Sequence, residues 1–438
     1  MGHTLRASVK HRLPARWHIE TVAAPRSTEA LDVEAASADA LARPNAGLPL
    51  RELAAGKQRI VIALDAFPAD HTRQVLLRAV LREIITEAQA AVQILCLVPS
   101  SSAPVDQAAL PIDLRDRLLF IPHVPNDQRE LETLGVFEGI ALWVNYHAVV
   151  ADLLIAISVL RLDDENTHLG SYHTLLRLAG ESTQRDLREA RFYEERTTAF
   201  AVPLLERVLQ ELARRVGLSF AVEALEDEQG NVLAVFAGVP SEVRAVMQQR
   251  LAELREAPVR HAAYDALVLA APRRQPQSLF DAVSAVVAQG LSPTSVLAQG
   301  GTLIVPVTDG MGDESQAAQA FYDALTNADS PEQAVHLLRG RTLREGEERA
   351  YLLAQLLQRH RVIAVGTPRE QLARSSHFIP ARTVTEALEI TESLVDHPLR
   401  VLLVKRPRVT RPVFSPFLAP LDGILDEHGD LLRASERS

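Results

Sequence analysis

Short apolar runs alternate with amphipathic segments through most of the chain. The run RIVIAL (59–64) is apolar on both faces of a strand, and the following segment (72–91) places Val75, Leu76 and Val80 on one face of a helix. Further strand-like runs are VQILCLV (92–98), LLFIP (118–122) and LLIAISVL (153–160). Apolar strands separated by helices are typical of a mostly parallel sheet that helices cover on both faces.

The second half of the chain follows the same pattern after a helical stretch at 184–216. Two β-type runs flank Gln229-Gly230-Asn231, which predicts a hairpin. Beyond Pro258 the strand-like and helical segments are DALVLAAP (265–272), SLFDAVSAVVAQG (278–290), TLIVPV (302–307), EERAYLLAQLLQRH (347–360), RVIAVG (361–366), TVTEALEITESLV (383–395) and LRVLLV (399–404).

These patterns predict an α/β fold with two doubly wound, Rossmann-like domains. The first domain is predicted at residues 1–257, including the helical linker and the hairpin, and the second at 258–405. The remaining residues, 406–438, are predicted to pack back on the first domain and are polar at their end.

Composition narrows the class of protein. Hydrophobic residues make up 47% of the 438-residue chain and charged residues 23%, as in globular proteins. A net charge of −10 without a polybasic run argues against nucleic acid or an anionic membrane as a partner. The most hydrophobic stretch (147–162) is interrupted by Asp152, and no apolar leader is visible, so we expect a cytoplasmic protein. The single cysteine, Cys96, lies in an apolar run and is predicted to be a buried thiol.

Asp70 and Arg73 are the first candidate ligand-binding residues. They lie in ADHTRQV (69–75), which follows a strand and opens a helix, where backbone N–H groups favour anions. The alternative interpretation is that Asp70 caps the helix and Arg73 is solvated.

Two further segments carry candidate chemistry. DDENTHLGSYH (163–173) combines acidic residues with His168 and His173, but a five-residue spacing is poor for one metal ion, and no metal site is predicted. Asp309 and Asp313 follow a strand at the edge where α/β sheets bind ligands. The glycines of QGGTLIVPVTDGMGD (299–313) do not match a P-loop or a G-x-G-x-x-G motif, so this stretch is interpreted as a glycine turn and strand.

The order and spacing of several segments point to one family. They are LPARWHI (13–19), ALARPNAGLPLRELAAGKQRIVIALD (40–65), LETLGVFEGIALWVNYHAVVADLLIAI (131–157), GNVLAVFAG (230–238) and PQSLFDAVSAV (276–286) with the following QGGTLIVPVTDGMGD. Together these segments resemble the nickel-dependent lactate racemase family over nearly the whole chain. The resemblance implies racemisation of 2-hydroxy acids such as lactate, with a nickel-pincer nucleotide tethered covalently to a lysine. It also implies a site in the cleft between two α/β domains.

Residues of the first domain match the family's motifs only in part. The family's D-x-T-R motif resembles Asp70 to Arg73; if Asp65 is the counterpart of its aspartate, the arginine is lost. The histidine that follows the family's second strand is absent from PSSSAPVD (99–106). His168 resembles the histidine of the next segment, and Gly170 and Tyr172 resemble the residues after it, without the glycine pair or the lysine.

Other family positions are also changed. The only lysines are Lys10, Lys57 and Lys405, and no histidine occurs between His173 and His261. The family's tyrosine, glutamine and lysine on the helix before the glycine pair correspond here to Phe280, Asp281 and Ser284.

The sequence therefore predicts a degenerate family member that binds a small carboxylate or 2-hydroxy acid without a covalent nickel-pincer nucleotide. That cofactor is expected only if the family activity survives. The candidate catalytic residue is His168, and the candidate cofactor-binding residues of the cleft are Asp70, Arg73, Asp309 and Asp313. At least three of these five residues are expected to line one interdomain pocket. The alternatives are an active 2-hydroxy-acid racemase or related isomerase with relocated residues, and an unrelated enzyme of the doubly wound class.

Overall fold

The structure is a computed structural model. It describes residues 17–25, 30–66, 71–85, 93–99, 117–164, 169–193, 204–271, 277–307, 315–339, 341 and 343–418.

The described residues form these strands, in chain order: β1 His18–Ala23, β2 Arg59–Leu64, β3 Gln93–Pro99, β4 Leu118–His123, β5 Leu131–Phe137, β6 Ile140–Asn145, β7 Leu153–Arg161, β8 Leu218–Glu226, β9 Val232–Gly238, β10 Glu256–Val259, β11 Tyr264–Leu269, β12 Leu297–Pro306, β13 Arg361–Val365, β14 Ile379–Ala381, β15 Arg400–Lys405 and β16 Arg411–Phe414. They form these α-helices: α1 Val33–Ala42, α2 Leu50–Ala54, α3 His71–Ile84, α4 Tyr146–Val149, α5 Ser171–Arg177, α6 Glu181–Tyr193, α7 Leu204–Val216, α8 Pro240–Arg255, α9 Leu279–Gly290, α10 Gln316–Thr326, α11 Pro331–Leu338, α12 Glu347–Leu357, α13 Glu370–Ser375 and α14 Val384–Glu392.

The first compact unit contains residues Pro25–Arg255 and Ser315–Leu352. Its six-stranded sheet has the order β4-β3-β2-β7-β8-β9. The first five strands are parallel, and β9 pairs with β8 in the antiparallel direction across the predicted hairpin. The mostly parallel sheet predicted from the apolar runs is therefore confirmed.

Helices cover this sheet on both faces, because its central strands are apolar on both sides. Along β2 all residues from Ile60 to Leu64 are fully buried. Ile60 and Ile62 pack against α3, whereas Val61 and Ala63 face the cluster formed with α5 and α7. Cys96 is fully buried, as predicted, and burial raises the pKa of its thiol.

An antiparallel hairpin, β5 and β6, lies beside this sheet in the same unit, with Leu131 opposite Asn145. It corresponds to the strand–turn–strand segment of the sequence. His123, at the end of β4, helps to hold this hairpin in place. The His123 Nε2 lies 3.1 Å from the carbonyl oxygen of Ala179, and the His123 Nδ1 lies 3.1 Å from the side-chain nitrogen of Asn145 at the end of β6.

The second compact unit contains residues Met1–Ala24, Glu256–Glu314 and Leu353–Ser438. Its main sheet has the order β1-β15-β11-β12-β13-β14, and all its pairs are parallel. The same unit also contains a separate two-stranded parallel sheet, β10 and β16. Trp17 is buried in the apolar cluster of the six-stranded sheet, which also contains Val401.

The predicted domain limits were wrong at both ends of the chain. The first unit does end at Arg255, close to the predicted boundary at 257. However, β1 pairs with β15, so the start of the chain belongs to the second unit. The tail, 406–438, was expected to pack on the first domain, but β16 pairs with β10 of the second unit. Residues Ser315–Leu352, assigned by sequence to the second domain, belong to the first.

Two local details also differ from the sequence analysis. The helical stretch 184–216 consists of two helices, α6 and α7, and residues 194–203 between them lie outside the described part of the chain. Gly300 does not form a turn between elements. It lies inside β12 with a φ of 72°, at an irregularity in the pairing with β11. Among the described residues, no helix is long and apolar enough to span a membrane.

Candidate functional site at the carboxyl edge of the first sheet

The strand order of the first sheet locates a ligand-binding edge. From β2 the chain continues to β3 and β4 on one side, and it later returns to β7 and β8 on the other. In doubly wound sheets, ligands bind beyond the carboxyl ends of the strands where this reversal occurs. Here that point lies between β2 and β7. The residues that follow Leu64 and Ser158 therefore form what we call the carboxyl edge of the first sheet.

Asp65 and Arg73 meet at this edge. Asp65 follows β2 directly, and Arg73 lies in the first turn of α3. The Arg73 Nε and Nη2 atoms donate to the two carboxylate oxygens of Asp65 at 2.8 and 2.9 Å. The same pair connects to β7, because the Val159 N–H donates to Asp65 at 3.0 Å and Nη2 donates to the Val159 carbonyl at 3.3 Å. A two-pronged pair of this kind fixes the plane of the guanidinium.

A row of polar side chains, level with Asp65, crosses the face of the sheet that packs against α5 and α7. Ser158 of β7 is level with Glu223 of β8, and the pairing of Leu64 with Ile157 makes Asp65 level with Ser158. We call Asp65, Ser158 and Glu223 the polar row. The rest of this face is apolar and packs against α5 and α7.

Helix α5 covers the polar row with its own polar groups. The Ser158 hydroxyl lies 2.6 Å from the Thr174 hydroxyl, and both residues are fully buried. The Ser171 N–H donates to Glu223 Oε1 at 2.6 Å. At this level of the sheet, hydrogen bonds between buried polar groups attach α5 to the strands, whereas helices usually pack on a sheet through apolar side chains.

Glu223 is the most unusual member of the row. Its side chain is fully buried, and its Oε2 has no hydrogen-bond partner among the described residues, nor does the Ser171 hydroxyl. Burial raises the pKa of Glu223 to about 7, and the negative charge of Asp65 adds to the increase. The Ser171 N–H and the Ser171 hydroxyl both favour the carboxylate and so act to lower this pKa. A carboxyl group whose pKa lies near 7 gains or loses its proton within the physiological pH range.

Two more contacts fix the loops at this edge. The Thr72 hydroxyl, at the start of α3, donates to Glu226 at the end of β8 over 2.6 Å. The Arg255 guanidinium donates to the carbonyl oxygens of Leu162 at 3.0 Å and Asp164 at 3.1 Å, in the segment after β7. The ends of β7 and β8 are thus held by side chains from distant parts of the unit.

In the second unit, the sequence motifs have structural roles. Ser278 and Asp281 form a reciprocal capping box at the start of α9. Phe280 and Ser284 are buried on the same helix, and so contribute to packing in this unit.

Comparisons with known proteins agree with one another. Residues 6–162 match the family model described as the lactate racemase N-terminal domain. A lactate racemase from Thermoanaerobacterium thermosaccharolyticum is 25% identical over 388 residues, covering 83% of this chain and 87% of that protein.

The apoprotein structure of the lactate racemase from that organism has a TM-score of 0.72 at 20% identity, covering 92% of this chain and 96% of the other. The chain is similar to lactate racemases in sequence, and its fold is similar to that of the lactate racemase apoprotein. A Thermotoga maritima protein has a similar fold, with a TM-score of 0.50 at 11% identity, covering 84% of this chain and 98% of that one.

The structure pairs Arg73 with Asp65, which precedes the segment AFPA (66–69). The correspondence of Asp70 to the aspartate of the family's D-x-T-R motif stays a prediction. Arg73 is not solvated, since only 17% of its side chain is exposed.

The other predicted site residues cannot be placed beside this pair. Asp70, His168, Asp309 and Asp313 lie outside the described residues, and the pocket that they were expected to share stays a prediction. Sequence reasoning missed Glu223 and Ser158. The available signal was an acidic residue inside the apolar strand run LSFAVEALE (218–226), at a position whose neighbours on the same face are buried.

Proposed function

We propose that this protein, which is similar to lactate racemases, binds a small carboxylate, such as a 2-hydroxy acid, at the carboxyl edge of the first sheet. We also propose that it does not carry the lysine-tethered nickel-pincer nucleotide that the family resemblance implies.

The distribution of lysine carries this proposal. No lysine occurs from Gln58 through Val404. Lys57 precedes β2, and Asp65 follows the opposite end of this six-residue strand, which is about 20 Å long. Arginine cannot substitute for a tethering lysine, because its guanidinium stays protonated and is a poor nucleophile.

The residues near the expected tether support the same proposal. The family resemblance places the tether after β7, in the segment that contains Gly170 and Ser171. Here this segment packs on Glu223, whose Oε1 lies 2.5 Å from the position that a Cβ atom on Gly170 would take. These residues do not fit a lysine-tethered nickel cofactor, and we assign no catalytic step to it.

The Asp65–Arg73 pair supports carboxylate binding. A guanidinium that is fixed in orientation recognises a carboxylate with little loss of conformational entropy. Arg73 is 17% exposed, at the edge where ligands approach a doubly wound sheet. A 2-hydroxy acid has the small size and single negative charge that such a position favours.

The cofactor proposal is tested by co-expressing the chain with the enzymes that synthesise the nickel-pincer nucleotide. We expect the intact mass to equal that of the polypeptide and no interconversion of D- and L-lactate above background. A nucleotide adduct or lactate racemisation would overturn the proposal and support an active 2-hydroxy-acid racemase with relocated residues.

The ligand proposal is tested by titrating the purified protein with L-lactate, D-lactate and glycolate in a calorimeter. We expect at least one to bind, and the Arg73→Lys variant to bind it at least tenfold more weakly, because a lysine cannot keep the two-pronged bond to Asp65 that fixes the orientation of the cation. Arg78→Lys is the matched control, since Arg78 lies on the same helix and pairs with Glu34 at the surface. Equal affinity in wild type and Arg73→Lys, or binding of none of the three acids, would contradict the proposal.

A further inference from the structure

The first turn of α3, which carries Arg73, is bound to three neighbouring strands of the first sheet. Arg73 donates to Asp65 after β2 and to the Val159 carbonyl of β7. The residue before it, Thr72, donates its hydroxyl to Glu226 at the end of β8 over 2.6 Å. Because β2, β7 and β8 are adjacent in the sheet, these bonds hold the turn on both sides of β7.

The bond between Thr72 and Glu226 joins two distant parts of the first unit. The two residues are 154 positions apart in the sequence, and only 4% of Thr72 is exposed. Its acceptor is a carboxylate, and such charge-assisted hydrogen bonds are stronger than those between neutral groups. The Glu226 carboxylate also lies at the amino end of α3, where the helix dipole favours a negative charge. The bond is therefore suited to hold the start of the helix.

Other contacts do not fix the first turn in the same way. The buried apolar residues of α3 run from Val75 to Ile84, so they attach the helix to the sheet after its first turn. The bonds of Arg73 set the plane of its guanidinium, but they draw the turn only toward β2 and β7. The bond from Thr72 resists displacement of the turn away from β8. It thus fixes the backbone from which Arg73 extends.

We infer that Glu226 is a positioning residue for ligand binding at Arg73: by holding Thr72, it keeps the guanidinium at one place on the carboxyl edge. Glu226 acts through Thr72 and is assigned no contact with the ligand. A binding group tolerates only small displacements, so residues that support it contribute to affinity without touching the ligand. The inference rests on the proposed function for its ligand, a small carboxylate, whereas the position of Arg73 is measurable without a ligand.

The reaction of arginine with phenylglyoxal, followed for each residue by mass spectrometry, tests this position in the whole protein. A guanidinium held by a carboxylate reacts slowly. We expect Thr72→Val, which removes the hydroxyl and keeps the shape of the side chain, to raise the rate at Arg73 about threefold or more. Thr72→Ser, which keeps the hydroxyl, should react like wild type. Arg78, on the same helix, is the reference arginine, whose rate should stay unchanged.

Thr183→Val is the matched control. Thr183 is also fully buried, and its hydroxyl donates to the Ala141 carbonyl at 2.7 Å, which links α6 to β6 in the same unit. Its loss should leave the rate at Arg73 unchanged, which separates general loosening of the unit from displacement of the first turn. In a Glu226→Ala background, Thr72→Val should change the rate no further, because the bond is already absent.

Calorimetry connects the position of Arg73 to the ligand. For whichever of L-lactate, D-lactate and glycolate binds to wild type, Thr72→Val should bind about fivefold more weakly, and Thr72→Ser within about twofold of wild type. Both substitutions keep the charge of Glu226, so its repulsion of an anionic ligand is unchanged. If wild type binds none of the three acids, the proposed function fails, and the modification rates alone decide the positioning role.

Two results would overturn the inference. The first is a rate at Arg73 that is the same in wild type and Thr72→Val, or that Thr183→Val raises equally. The second is an equal affinity of wild type and Thr72→Val for an acid that binds. If Thr72→Val does not fold, Glu226→Ala, which removes the same bond at a half-buried side chain, replaces it in the modification experiment.

Discussion

The carboxylate of Glu223 lies 2.5 Å from the position that a Cβ atom on Gly170 would occupy. Because real Cβ atoms do not approach an oxygen this closely, the two residues determine each other: a side chain at 170 would displace the carboxyl group from the start of α5. Gly170 also has a φ of 55°, which side chains disfavour. Two independent physical reasons thus require glycine at this position.

Gly170→Ala is expected to destabilise the protein by about 2–4 kcal/mol, from backbone strain and from overlap with Glu223 together. Gly217→Ala is the control for strain alone, since Gly217 has a φ of 76° and nothing within 4 Å of its Cβ position, and should cost about 1 kcal/mol. Urea unfolding measures both. Equal losses in the two variants would show that the contact with Glu223 contributes nothing.

Asp65→Asn is expected to lower the free energy of unfolding by about 2 kcal/mol, because Arg73 would keep its charge in a largely buried position without a carboxylate. Asp39→Asn removes the partner of Arg43 in a pair whose side chains are 59% and 76% exposed, and should cost less than about 0.5 kcal/mol. Denaturant titrations of the two variants against wild type give the comparison. A small loss at Asp65 would mean that the pair is no stronger than a surface ion pair.

Glu347→Gln should also destabilise the first unit. Glu347 is fully buried and accepts hydrogen bonds from both Arg341 and Arg344. Burial acts to raise its pKa, but the two arginines prevail and hold it at about 2. Because the partners are 44% and 65% exposed, we expect a loss of about 2 kcal/mol rather than the larger value of a fully buried pair.

This contribution has a defined pH dependence. A lowered pKa means that the stabilisation is complete above the ordinary value of 4.5 and is lost as pH falls toward 2. The stability difference between wild type and Glu347→Gln should therefore shrink between pH 5 and pH 3. The exposed Glu345, two residues earlier, provides the control variant Glu345→Gln, which should show no such change.

Because His123 is buried, we expect the free energy of unfolding to decrease in mild acid. Burial lowers its pKa below the ordinary value of 6.5, and the Ala179 carbonyl and the Glu130 charge oppose this only in part. The unfolded chain therefore takes up a proton first, and folding stability falls as pH drops below 6.5. Thermal unfolding of wild type and His123→Gln between pH 7.5 and 5 checks this, with His147→Gln as the control. A wild-type slope that His123→Gln retains would exclude His123 as its source.

The sequence predicted those elements whose signal is local. Runs such as RIVIAL and LLIAISVL are apolar on both faces, and the structure buries them as β2 and β7. The hairpin around Gly230 follows from its turn residues, and Gly230 does have a positive φ of 85°. Each of these features is determined by neighbours within a few residues.

Features that depend on distant partners were not predictable in the same way. HIETVA of β1 alternates polar and apolar residues weakly, and only its pairing with β15 makes it a strand. Glu223 looks like a solvated residue in a hairpin until the register places it opposite Ser158 and under Ser171. The bond between Asp65 and Arg73 joins residues on either side of AFPA (66–69), which a sequence pattern alone does not bring together.

The pairing of β1 with β15 also sets an order of events during protein synthesis. The Ala24 N–H donates to the Thr410 hydroxyl at 2.8 Å, across 386 residues of sequence. At about 5–20 residues per second, β1 leaves the ribosome roughly 20–80 s before its partner strand exists. The six strands of the first sheet, all complete by Gly238, emerge well within that interval. The N-terminal strand of the nascent chain therefore waits without a partner while the first sheet assembles, and in that period it is available to chaperones and proteases.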